Sequence, residues 1–391
     1  MKRVVSVLLL IASTISIAAG EATLIVSNPG NTQRSEVVEL DLLMIYNQMG
    51  INNTDSLVIK NAVGQEMAWQ ETYDGKLLLD VMIQPLSNTT IVISKGKPSI
   101  FKSLVQGRMY PERADDITWE NDRGIYRIYG PAIQRSGEQL YGIDVWVKNT
   151  PEPVVEDRYR LHLWGYGQSD SLRVVGKSRE ADEIYLATSF HYDHGLGLDC
   201  YGVGASLGCG APALMRNDKL HFPYCYKYYK ILDNGPLRFT VELTFGADAD
   251  GITEHRIISL DKGSHFNRIT VWYDGICQPT TLAMGIVMHS DDYIVLGRNY
   301  IQYADPTENP KVHQSQIYVA ALFPYGVDKT MIHAGEQRHA LGIIKDYLGE
   351  PYTYYFGSAW SNYDIRSQIQ WQLCIQEYLN NQRNPLNIQK L

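Results

Sequence analysis

Several kinds of function lose their usual marks in this chain. It has no phosphate-binding loop, no GxGxxG fingerprint and no HExxH pair, so nucleotide chemistry and zincin proteolysis lack their signatures. Positive charge is also short: 35 Lys and Arg face 43 Asp and Glu, a formal net charge of −8. A chain of that balance carries no electrostatic footprint for a phosphate backbone, which argues against a nucleic-acid partner. Cysteine is scarce. Cys200, Cys209, Cys225, Cys277 and Cys374 are five in number, fit no zinc spacing, and leave at least one thiol unpaired in a monomer. The expectation is buried, unpaired thiols rather than a disulfide framework. Helical periodicity is scarce as well, and after the first twenty residues no apolar run approaches the ~20 needed to span a membrane.

What is present begins with an export pattern. Lys2 and Arg3 precede a mainly apolar run from Val4 to Ile17, and Ala18-Ala19-Gly20 follows. That is the layout of a cleavable secretory signal over 1–20, placing the mature protein in the periplasm or outside the cell. Losing Lys2 and Arg3 from a net −8 leaves −10. Beyond it, 45% of residues are hydrophobic, and 27 of the aromatics are Tyr against 8 Phe and 7 Trp. Tyr suits half-buried strands and wet polar binding surfaces.

Alternation then dominates. Leu237 to Phe245 keeps strict period two, as do Val38-Leu40-Leu42 and Ile269-Val271-Tyr273. Strand-like runs lie at 77–83, 89–94, 124–129, 141–147, 253–260, 282–288, 316–323 and 352–356, separated by Asn, Asp, Gly and Pro clusters. One helix is expected, over 364–381, with Ile365, Ile369, Leu373 and Gln376 on its face. A soft boundary near Lys95 to Pro98 separates a small β-rich unit, 21–98, from a larger β-sandwich domain, 99–391. The fold class is all-β.

Two segments concentrate chemistry. Tyr110-Pro111-Glu112-Arg113-Ala114-Asp115-Asp116-Ile117-Thr118-Trp119-Glu120-Asn121-Asp122-Arg123 packs charge around one Trp, and Tyr126-Arg127-Ile128-Tyr129 follows. The second runs from Phe190 through His191, Tyr192, Asp193, His194, Asp199 and Tyr201 into Gly202, Gly204, Gly208 and Gly210. Its two His and two Tyr suit proton transfer, and the glycines let backbone approach a ligand. His191-x-x-His194 with Asp199 also has the types to ligate a divalent metal, the one cofactor the pattern admits, with His194 and Asp199 as ligands. Trp146 and Lys148 share a strand face; Arg238, His289 and Trp360 are single candidates.

These segments, with Gly142-x-Asp144-x-Trp146-x-Lys148 and Asn234-Gly235-Pro236-Leu237-Arg238, resemble a secreted bacterial family that includes the ulvan oligosaccharide dehydratase of polysaccharide-utilisation loci. The resemblance runs from about residue 24 to the C-terminus. It implies a galactose-mutarotase-like supersandwich. It also implies a hydro-lyase that removes water from a terminal glucuronate to leave a 4,5-unsaturated sugar. That elimination needs a base at C5, an acid at the departing hydroxyl and a positive group on the carboxylate. The residues here offer His191 as base or acid with Tyr192, His194 and Tyr201 as partners. Arg113, Asn121, Arg127 and Arg238 stand as carboxylate clamps. Trp119, Trp146 and Trp360 serve as sugar platforms, and Tyr129, Lys148 and His289 as further contacts. The expected partner is an acidic, uronate-containing oligosaccharide held by a local basic cluster. Two other readings use the same residues: a polysaccharide lyase, differing only in its leaving group, and a non-catalytic carbohydrate-binding sandwich.

Overall fold

The strict alternation gives most strands one apolar face, and the architecture follows from how those faces are covered. A computed structural model describes residues 20–307, 309 and 314–390; the signal-like segment before Gly20 lies outside them. An eight-stranded antiparallel sheet forms one layer, in the order 226–234, 238–245, 253–261, 266–274, 352–360, 317–322, 300–305 and 294–296. Opposite it lie two five-stranded sheets. One runs 198–199, 143–147, 125–128, 116–120, 106–110, and the other 219–221, 209–216, 280–287, 338–347, 329–334. A parallel bridge between Ile143 and Gly208 joins them into a single layer. Side chains from all three sheets, among them Trp119, Tyr126, Val145, Val241, Ile269, Leu282, Leu341 and Phe356, make one core. Each such buried side chain contributes about 1.5–3 kcal/mol. The mostly antiparallel, sandwich-type fold expected from the sequence is the one observed.

The segment before residue 98 has a core of its own, built on a four-stranded and a three-stranded sheet. The C-terminal strand Asn387–Lys390 returns to pair with Glu21–Ser27, and Leu386 and Ile388 join that core.

Helical content exceeds the expectation. The C-terminal helix spans Gln368–Arg383, capped by Ser367. It lies on the outer face of the eight-stranded sheet through Trp371, Ile375 and Leu379. Ile369 and Leu373, expected on its inner face, are exposed because Trp371, the bulkiest apolar group, sets the buried stripe. Beside two short helices, Leu42–Met49, which ends the alternation at Leu42, and Pro131–Ser136, the expectation lacks the pair Val155–Val174 and Ser178–Thr188. The first has almost no amphipathic period and contains Gly165 and Gly167, which reads as loop. Gly165 is needed: a Cβ there would lie 1.8 Å from Thr188 Oγ1 in the second helix.

This helical pair covers the outer face of the sheet 106–199. On that sheet, Ile117, Trp119, Tyr126, Ile143 and Val145 point into the core. The alternate positions Asp116, Thr118, Glu120, Arg127, Asp144, Trp146 and Asp199 belong to the other face and are buried too. Ile125, Trp146, Val154, Val155, Tyr159 and Phe190 form a small apolar cluster between sheet and helices. Glu120 anchors the arrangement. Its carboxylate accepts hydrogen bonds from Val154 N and Val155 N at 2.9 and 3.0 Å, at the start of the first helix, and from Lys148 Nζ at 2.8 Å. A carboxylate there satisfies free amides and opposes the positive end of the helix dipole. No helix among the described residues is long and apolar enough to cross a membrane.

Candidate active site

Arg127 sits at the centre of the covered face. Directly across the ladder from it stand Asp144 on one side and Thr118 on the other. Its Nη2 lies 2.5 Å from Asp144 Oδ2, 2.9 Å from Asp199 Oδ2 and 3.1 Å from the Tyr129 hydroxyl. Asp116 Oδ2 is 3.9 Å from Nη1. The guanidinium lies over Trp146 and Tyr129, 5.0 and 4.7 Å from the ring centroids. Trp146 in turn donates from Nε1 to Asp144 and stacks on Phe190.

Three carboxylates around one buried guanidinium raise each other's proton affinity. Burial pushes Asp144 up to about 7, against the pull of Arg127 and with help from the Asp199 charge. Burial likewise raises Asp116 to about 6 and raises Asp199. Asp116 Oδ1, Asp144 Oδ1, and Nε and Nη1 of Arg127 are buried without a hydrogen-bond partner among the described residues. Such atoms cost about 1–3 kcal/mol each, and their concentration in one network makes it the candidate site.

The rim of this network carries His191 and Arg113. Arg158, on the first covering helix, donates to the carbonyls of Phe190 and Gly197 and pins the loop between them. Gly197, at φ 94°, lets that loop run against the strand 143–147, where a Cβ would meet Val147 O at 2.0 Å. His191, with its side chain 45% exposed, directs Nδ1 at the Asp199 carbonyl, 3.0 Å away, with Asp199 Oδ2 at 3.7 Å. A carbonyl only accepts, so Nδ1 carries the hydrogen and Nε2 the lone pair. Burial lowers the His191 pKa despite that hydrogen bond, so the ring is neutral at pH 7. Arg113, on the turn Pro111–Arg113, is half-buried, with its guanidinium 5.9 Å from the Phe190 ring centroid. It makes no ion pair or hydrogen bond among the described residues.

The other sequence candidates lie elsewhere or are engaged. Asn121 donates to the Asp261 and Ser264 carbonyls and braces a turn. Arg238 pairs with Asp261 and with Glu39 of the N-terminal unit. Lys148 is fully buried against Glu120. Trp119 is buried between Phe239 and Tyr126, Trp146 lies beneath Arg127, and Trp360 is in the core, so none offers a face to a sugar. Tyr192 turns its ring to Tyr185. His194 directs Nε2 at the Ser189 carbonyl, and Asp199 is engaged with Arg127; no group of three or more His, Cys, Asp or Glu among the described residues is set to hold a metal. The basic cluster expected around an acidic sugar is instead a mixed one, two Arg with three Asp.

Tyr201 lies on the inner side of its loop, edge-on to His289, and its buried hydroxyl has no hydrogen-bond partner among the described residues. His289 Nδ1 is 2.7 Å from the fully buried Asp305 Oδ2; burial lowers its pKa, but that hydrogen bond and charge dominate and raise it. A G-x-S-x-G spacing does occur at Gly204 to Gly208, but Ser206 is buried and donates to the Val203 carbonyl, not at a strand-to-helix elbow. No disulfide joins the five cysteines; Cys209 is buried and Cys277 is exposed.

The sequence alone assigns no role to Asp116, Asp144, His162 or Phe190. The signal was available for the first two: charged residues at alternate positions of otherwise apolar neighbouring strands.

Comparison with known proteins places this architecture. The family described as "Domain of unknown function (DUF4861)" matches residues 26–388. The chain belongs to this family. Every residue of the Arg127 network falls inside the DUF4861 match. A relative from Formosa agariphila, "Uncharacterized protein P7", is 27% identical over 298 residues, covering 72% of this chain and 68% of that protein. Among solved structures, a glycosyl hydrolase family 38 protein from Enterococcus faecalis aligns with TM-score 0.54 at 8% identity. It covers 95% of this chain and 47% of that one. An alpha-mannosidase from Enterococcus faecalis V583 gives 0.52 at 8% identity, covering 95% and 46%. The chain thus spans about half the length of these structures, and the likeness is one of fold.

Proposed function

We propose that this protein is a carbohydrate hydro-lyase that removes water from the non-reducing-end uronate of an oligosaccharide. The observation that carries the reading is the pairing of a neutral, half-exposed imidazole with an uncommitted guanidinium at the rim of the Arg127 network. Arg113 takes the substrate carboxylate and stabilises the charge that develops on it as C5 loses its proton. His191 Nε2 accepts that proton. The C4–O bond then breaks, C4 and C5 become doubly bonded, and the imidazolium returns the proton to the departing hydroxyl as water. Arg127 does not reach the substrate in this scheme. It holds Asp199, and Asp199 through its carbonyl holds the tautomer and orientation of His191. The resemblance to the ulvan oligosaccharide dehydratase family favours glucuronate as the acid, and the signal-like N-terminus favours action outside the cytoplasm.

The test is incubation with saturated glucuronate-terminated oligosaccharides. The ultraviolet absorbance of a conjugated unsaturated uronate is followed, and product mass is recorded. Loss of one water from an intact oligomer supports the reading. Chain scission with the same absorbance makes the protein a lyase, and no new absorbance over a broad panel excludes elimination.

A further inference from the structure

The two covering helices do more than close the sheet. His162, 8% exposed, lies in the first of them, stacked on Phe190 with centroids 4.0 Å apart and 6.0 Å from His191. Its Nδ1 is buried with no hydrogen-bond partner among the described residues. Burial lowers its pKa to about 4, so it is a neutral group at pH 7. From His162 the aromatic surface continues outward. Tyr166 stacks on it at 6.3 Å, Tyr185 of the second helix meets it edge-on at 6.2 Å, and Tyr192 meets Tyr185 at 6.3 Å. Tyr166 and Tyr192 are 56% and 43% exposed. Four rings, on two packed helices and the loop that follows them, thus form a shelf that begins at the proton-transfer imidazole and runs to solvent.

We infer that this shelf binds the sugar units that follow the terminal uronate, and so selects oligosaccharides over free uronate. The inference rests on the function proposed above and extends it to the substrate's length. The surface chemistry suits that occupant. Tyrosine offers an apolar face for a pyranose ring and a hydroxyl for its rim, and it is ordered at little entropic cost. The unpartnered imidazole nitrogen offers one hydrogen bond at the inner end. No charged side chain belongs to this run of rings, so acidity is read at Arg113 and length at the shelf. Continuity is the main argument: the shelf starts within ring contact of His191.

Calorimetric titration with glucuronate-terminated di- and tetrasaccharides tests this, the readout being the ratio of the two affinities. The wild type should favour the tetrasaccharide by about tenfold or more, the size of one good contact. In Tyr166→Ala and Tyr185→Ala that ratio should fall toward one. Tyr185→Phe, which keeps the ring, should retain it. Trp164→Ala, on the opposite side of the first helix, is a control for general damage to the cap. A ratio near one in the wild type, or a ratio unmoved in both alanine variants, overturns the inference. So does sedimentation showing that the alanine variants dissociate a dimer, because the shelf would then be a subunit contact. Length-dependent binding without dehydration leaves the shelf standing and removes the proposed reaction. Dehydration with length-independent binding does the reverse.

Discussion

Arg127 and Asp144 stand opposite each other on neighbouring strands, and Nη2 of the first lies 2.5 Å from Oδ2 of the second. The same Nη2 also meets Asp199, so one buried cation holds two carboxylates and, through Asp199, the loop that carries His191. Removing the cation leaves uncompensated buried charge. Arg127→Met should therefore destabilise the protein by about 3–5 kcal/mol, measured by urea denaturation at pH 7.5. A loss under about 1 kcal/mol at that pH would count against the network described here.

Arg113 should behave in the opposite way. With no ion pair among the described residues to lose, Arg113→Met should change stability by no more than about 0.5 kcal/mol. It should nevertheless weaken binding of a uronate-terminated oligosaccharide by about tenfold or more, the size of one charge-assisted hydrogen bond. Equal binding by variant and wild type in a titration would remove Arg113 as the clamp.

The pH dependence of stability has a definite sign. The Asp144 pKa is raised in the folded state, to about 7 from the ordinary 3.8. A raised carboxyl stabilises fully below its unfolded value, and that contribution is lost as pH climbs through the folded one. The loss accrues between pH 4 and 7 and reaches a few kcal/mol, since each tenfold gain in proton affinity is worth about 1.4 kcal/mol. Asp144→Asn cannot ionise, so the stability difference between variant and wild type should move in the variant's favour from pH 5 to pH 8. Denaturation midpoints at the two pH values check it; a constant difference would mean that Asp144 ionises normally.

Burial holds the His191 pKa below the ordinary 6.5, so a base at this position would be unprotonated at pH 7. The acidic limb of kcat/KM should fall below pH 6.5. His191→Ala should cut kcat by about 10²–10⁴-fold, while His255→Ala, on the far sheet beside Trp272, should not. A variant pair with equal activity would move the proton transfer elsewhere, His289 with Asp305 being the next place to look.

Glu120→Gln should loosen the cap rather than the core. It removes the charge that meets Lys148 and the first helix start. Amide exchange should quicken in 155–188 before it does in 238–274, at a cost of about 3–5 kcal/mol for breaking a buried pair.

How much of this was legible follows from what period two encodes. Alternation in 237–245 or 266–274 specifies a strand and its buried face without reference to anything else, so the sandwich could be read directly. The same alternation in 116–120, 125–128 and 143–147 puts Asp116, Arg127 and Asp144 on the second face, but looks like a solvated one. Nothing local says that a helical pair comes down on it, because Val155–Val174 buries only a narrow, mixed stripe that includes Arg158, His162 and Ser169. The sequence also points to Trp119, Trp146 and Trp360 as sugar platforms, but the helical pair covers Trp146 and the core between the sheets takes Trp119 and Trp360. The sequence by itself determined most strands, their apolar faces and the two segments where charged and titratable residues concentrate. Which of those charged residues meet, which titrate abnormally and which are simply braces was decided by tertiary structure, since burial and a partner's distance set a charge's energy and neither exists along a strand taken alone.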